Sequence, residues 1–107
     1  ASSTKEYDMD TPRPGWAEQH PDLWRAYADL GKACAEAGTL TDRERRLVKL
    51  ALAVGAGSEG AVHSHTRRAR SEGIEDAAIQ QVALLAIGPL GLPRAVAART
   101  WIADENT

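Results

Sequence analysis

Two histidines, His63 and His65, stand two residues apart in the stretch SEGAVHSHTRRARSEG that runs from Ser58 to Gly73. Imidazole changes charge near neutral pH and its ring nitrogens bind transition metals, so each is a candidate proton carrier or ligand. Glu59 precedes His63 by four residues, and Ser58 precedes His65 by seven. On a helix of about 3.6 residues per turn, Glu59 and His63 are neighbours, while Ser58 and His65 share a face two turns apart with Ala61 between them. His63 and His65 themselves differ by roughly 200° around the axis, so one straight helix cannot aim both at one point. Either they serve different sites, or a bend or a second chain brings them together. The bland reading is a solvated pair, Glu59 and His63, on an exposed helix face.

Composition bounds what such residues can belong to. The 107 residues fit one domain, and a hydrophobic content of 43% with 26% charged residues is that of a globular chain rather than a disordered one. There is no Phe, and alanine is abundant, so a core built from Ala, Leu and Val is thin. Burial in a homo-oligomer is the usual remedy, and a homo-oligomer is expected. A net charge of −2 argues against a nucleic-acid or anionic-membrane partner, because binding phosphates needs a basic excess. The densest basic run, Arg67 to Arg70, reads as a solvated helix face. Cys34 is the only cysteine, which leaves no internal disulfide or CxxC pair and fits a reducing cytoplasm. No apolar run approaches the ~18 residues of a membrane span, and no signal peptide opens the sequence.

The elements that would position the histidines can be read from periodicity and punctuation. Residues 1–19, with two prolines and little periodicity, read as a flexible arm with Tyr7 and Trp16 as possible anchors; residues 20–107 read as a single helical domain. Pro21 suits the first turn of a helix whose stripe is Leu23, Tyr27, Leu30 and Cys34, ended by Gly38; His20 before it reads as a cap. On that stripe Cys34 is expected to be a buried small hydrophobe rather than a nucleophile. "TDRE", Thr41 to Glu44, is a capping box that opens a second helix with the face Leu47, Leu50, Ala51 and Val54. "GAG", Gly55 to Gly57, breaks or kinks that helix before a third, from about Ser58 to Glu72, which stops at Gly73. A fourth begins near Glu75 or Asp76 and is apolar on nearly every side from Val82, as if buried all round by a second subunit. After a hinge at Gly88 to Pro93, a last helix runs to about Ala103. No strand signal and no internal repeat is visible, so the fold is expected to be all-α, a small antiparallel helical bundle.

The order and spacing of these segments resemble the carboxymuconolactone decarboxylase and alkylhydroperoxidase-D-like proteins. The resemblance runs from about Pro21 to Trp101 through "EAGTL", "TDRERRLVKLALAVGAG", "HTRRARSEG" and "GLPRAVAARTW". The family's peroxidase branch is marked by Cys-x-x-Cys-x-x-x-His with Ala four and Gly eight residues beyond the His; here His65, Ala69 and Gly73 fall on that frame. Ser58 and Ala61 occupy the two cysteine positions, and Arg46 stands where the family's upstream Glu would help relay a proton. Thiol peroxidase chemistry needs a thiolate to be oxidised and a second thiol to resolve it, and serine does not substitute. The resemblance therefore implies the fold, and assembly as a dimer, trimer or hexamer of three dimers, without that branch's activity.

Three functional readings follow. In the first, the resemblance to the decarboxylase branch implies a lactone or small carboxylic substrate bound between helices. His65 would be the proton donor or acceptor, Ser58 would orient it or the substrate, and Arg46 would hold a substrate carboxylate bidentately, in a lyase-like enzyme. In the second, Glu59 and His63, joined by His65 through a distorted helix or a second chain, hold a divalent transition metal. In the third, the scaffold keeps only a binding or assembly role. For Arg46 the bland reading is a solvated charge in the "RERR" run.

Overall fold

The structure, a computed structural model, describes residues 14–105. Every regular element among the described residues is a helix, so the fold is all-α: α1 Trp16–Gln19, α2 Pro21–Ala35, α3 Asp42–Ala56, α4 Glu59–Ser71, α5 Asp76–Leu85, α6 Ile87–Leu90 and α7 Leu92–Asp104. No helix is long and apolar enough to cross a membrane. The described residues divide into two compact units that meet between Thr39 and Leu40.

In the first unit, Trp16 lies in the short helix α1 and meets Trp24 of α2 edge-on, ring centroids 5.5 Å apart. Tyr7, the other suggested anchor, lies outside the described residues. Pro21 opens α2 at its first turn, as its fixed φ and missing N–H favour. His20 occupies the cap position, but its side chain makes no capping hydrogen bond. The stripe Leu23, Tyr27 and Leu30 is exposed, and so is Cys34, against the expectation of burial. Helical spacing marks which residues share a face; it does not say what covers that face.

The second unit holds the core and the histidines. Thr41 and Glu44 form the capping box: Thr41 Oγ1 accepts from the Glu44 amide at 3.1 Å, and Glu44 Oε1 accepts from the Thr41 amide at 2.8 Å. These bonds to Thr41 hold the Glu44 carboxyl below its ordinary pKa. Gly55 stays inside α3, and the break comes at Gly57, whose φ of 67° is left-handed. There the Gly57 amide donates to Val54 O at 3.0 Å and the Ser58 amide to Ala53 O at 3.2 Å, closing the helix end. The Arg94 guanidinium donates to the adjacent carbonyls of Val54 and Gly55 at 3.0 and 2.9 Å. A Cβ on Gly57 would stand 3.1–3.2 Å from that guanidinium, so glycine is required there twice over.

Ser58 then caps α4, its Oγ accepting from the Ala61 amide at 3.3 Å. Only Gly57 and Ser58 separate α3 from α4, and so short a connection folds the two helices back as antiparallel neighbours. Gly73, at φ 83°, ends α4 in the same left-handed way. The core draws Leu50, Ala53 and Val54 from α3, Val62 and Ala69 from α4, Ile79, Val82 and Ala83 from α5, and Ala95, Ala98 and Ile102 from α7. Its many alanines let the helix backbones approach closely. Of α5's apolar surface, Ile79, Val82 and Ala83 are buried, while Leu84 and Leu85 remain at least half exposed.

Candidate functional site

Residue types at helical spacing place His63 and His65 on different sides of α4, and the tertiary structure gives each side its own electrostatics. The side carrying His65 faces α3. Arg46 Nη1 donates to His65 Nδ1 at 2.8 Å. The rest of the guanidinium forks onto the C-terminal end of α4, Nε to Glu72 Oε1 at 3.0 Å and Nη2 to Glu72 Oε2 at 2.9 Å. Arg46 is 9% exposed, in keeping with a guanidinium whose polar atoms are met by protein groups. It is a buried link rather than the solvated charge that its place in "RERR" suggested.

Burial and this contact together set the state of His65. Burial disfavours its charged form first, and the guanidinium of Arg46, with Arg68 and Lys49 more weakly, adds cationic repulsion; together they push the imidazole down to about 4. His65 is therefore neutral at neutral pH. Arginine has no acceptor, so Nδ1 must be the bare nitrogen and Nε2 must carry the proton. The third member of the chain, Glu72, was not among the candidates. It lies seven residues after His65, the same two-turn interval that separates Ser58 from His65, so the signal was present in the spacing. Ser58 itself is engaged at the start of the helix as a cap.

The side carrying His63 faces α7 and is acidic. His63 Nε2 lies 3.7 Å from Glu59 Oε2, one turn earlier on α4, and 3.4 Å from Asp104 Oδ2 at the C-terminal end of α7. Its Nδ1 faces Glu105 Oε1 at 3.8 Å, and Glu105 in turn accepts from Arg67 Nη1 at 3.1 Å. His63 Nε2 is shielded from solvent and has no hydrogen-bond partner among the described residues. Of the expected metal set, the structure brings Glu59 and His63 together and engages His65 with Arg46 on the other side, while an Asp104 oxygen lies within 4.8 Å of a ligand atom of each of the first two. Asp104 is 41 residues from His63, and no local pattern marks it.

A family model described as the carboxymuconolactone decarboxylase family matches residues 21–104, from the first residue of α2 to the last of α7. No curated protein and no solved structure matches the chain.

Proposed function

The chain belongs to the carboxymuconolactone decarboxylase family, and on that premise we propose that it acts on a small lactone or carboxylic substrate through His65. The observation that carries this reading is the Arg46–His65 hydrogen bond at 2.8 Å, on a ring whose pKa is pushed down to about 4. It also refines the kind of chemistry. A ring with Nε2 protonated and Nδ1 occupied has no lone pair to take a substrate proton, so His65 is suited to donate rather than to act as a general base. A neutral imidazole N–H directed at a carbonyl oxygen stabilises the negative charge that grows there during decarboxylation or lactone isomerisation.

Arg46 acts in this reading through His65 and Glu72, as a positioning residue, and not as the clamp on a substrate carboxylate. Ser58 contributes a helix cap. Ser58 and Ala61 stand where the peroxidase branch has its cysteines, and neither carries a thiol, which supports chemistry other than thiol oxidation. A homo-oligomer belongs to the same reading, because Leu52, Leu84, Leu85, Leu92 and Val96 are each at least half exposed.

Two measurements test it. Nitrogen-resolved NMR of the imidazole should show His65 neutral at pH 7 with the proton on Nε2. A charged ring, or a proton on Nδ1, overturns the assignment. In a screen of lactones and β-keto carboxylates, turnover by the wild-type chain should fall about 10²–10³-fold in His65→Ala, the usual cost of removing one oxyanion donor. Turnover that survives His65→Ala would remove His65 from the chemistry.

A further inference from the structure

On the opposite side of α4 from His65, we infer that Glu59, His63 and Asp104 form a binding site for a borderline divalent cation such as Zn²⁺ or Co²⁺. This site is independent of the His65 reading and stands or falls separately. Its three donor atoms come from two helices, and all lie within 4.8 Å of one another. About the imidazole, Nε2 stands 3.4 Å from Asp104 Oδ2 and 3.7 Å from Glu59 Oε2, near the spacing that a small metal ion requires. With metal–ligand bonds of about 2.0–2.1 Å in tetrahedral array, neighbouring ligand atoms stand about 3.4 Å apart. A hydrogen-bonded pair would be closer and aligned. The Asp104 spacing matches that tetrahedral span and the Glu59 spacing is somewhat wider, so a bound ion would draw the three groups slightly together.

The second observation is the state of His63 Nε2. It is out of solvent and has no hydrogen bond among the described residues, although two carboxylates flank it. A buried ring nitrogen left without a partner is uncommon and costs stability. A cation placed among the three groups would accept its lone pair and neutralise the two carboxylates at once. Glu59 and Asp104 remain more than half exposed, which leaves a route for the ion to enter. The other ring nitrogen faces Glu105 at 3.8 Å, which is itself held by Arg67. Two carboxylates and one imidazole suit a borderline ion better than a thiophilic one, and three protein ligands leave at least one position for water.

The test uses the full chain, freed of metal with a chelator and then titrated with Zn²⁺ by calorimetry, with Co²⁺ as a visible-absorption probe of the ligand field. One ion per chain is expected, with affinity falling at least about tenfold in His63→Ala and in Asp104→Asn. His65→Asn should bind as wild type does. Zn²⁺ should also raise the melting temperature of the wild-type chain and of His65→Asn but not of His63→Ala, a readout that needs no enzymatic activity. The site is overturned if Zn²⁺ binding is absent or substoichiometric, if it survives His63→Ala undiminished, or if it is lost in His65→Asn.

Discussion

His63 and His65 are separated by a single serine on one helix, yet they occupy opposite electrostatic environments. His65 faces a guanidinium and is held neutral; His63 is ringed by Glu59, Asp104 and Glu105. Neither environment is a property of α4 alone. One is supplied by α3, antiparallel to α4 across a two-residue turn, and the other by the end of α7. The same side chain, repeated at an interval that does not match the helical period, is thereby placed in two different surroundings. The contrast shows how little a motif containing two histidines says until its neighbours are known.

The largest blow to this contrast should come from Arg46→Ala. Removing the guanidinium leaves Glu72 and His65 without their partner in a half-buried setting and opens a void beside α4. A loss of about 2–3 kcal/mol is expected by urea denaturation, below the full cost of breaking a buried pair because Glu72 is partly exposed. The same variant should let the His65 pKa rise back toward its ordinary value in an NMR titration. A His65 pKa that stays near 4 in this variant would mean that the guanidinium has no part in holding the ring neutral.

Acid should discriminate between them next. Because the folded-state pKa of His65 lies below the unfolded value of 6.5, the unfolded chain binds the extra proton first as pH falls. The His65 contribution is thus intact above pH 6.5 and is lost progressively from there down to about 4. Discounted for the part of the ring near solvent, it should amount to about 1–2 kcal/mol. Denaturation midpoints of the wild type at pH 7 and 4.5 should therefore differ more than those of His65→Gln. Equal differences would show that His65 is not the group responsible.

Gly57→Ala attacks both sites together, since this residue sets where α4 begins. Its left-handed φ of 67° and the Arg94 guanidinium 3.1 Å from the added Cβ predict a loss of about 1–2 kcal/mol, measurable as a lower melting temperature. The smallest effect concerns the residue just past His65. Thr66 is fully buried, and its Oγ1 has no hydrogen-bond partner among the described residues. Thr66→Val keeps the shape and removes an unmet polar group, so it should gain up to about 1 kcal/mol while leaving both histidine environments unchanged.

Local chemistry made much of the fold legible. The Thr41–Glu44 box, Gly73 and the acidic start at Glu75 each act within a turn or two of the chain, and the helices begin and end near them. Gly55 and Gly57 show the limit of the same reading. Two glycines in a row of three could not be told apart by type, and only the carbonyl ends of α3, held by Arg94, place the break at Gly57. Leu84, Leu85 and Cys34 show another, because a stripe of apolar residues does not reveal whether anything lies over it.

What the sequence determined by itself was the set of helices, the family to which their order belongs, and the divergence of the two histidines around one axis. All of these follow from short-range rules: backbone capping, the helical period and the fixed spacing of a motif. Tertiary structure alone decided that Arg46 is buried against His65 and Glu72, and that Asp104 comes to His63 across 41 residues of chain. Those pairings depend on how α3, α4 and α7 pack, a balance of many small contacts far apart in sequence, and no local pattern encodes such a balance.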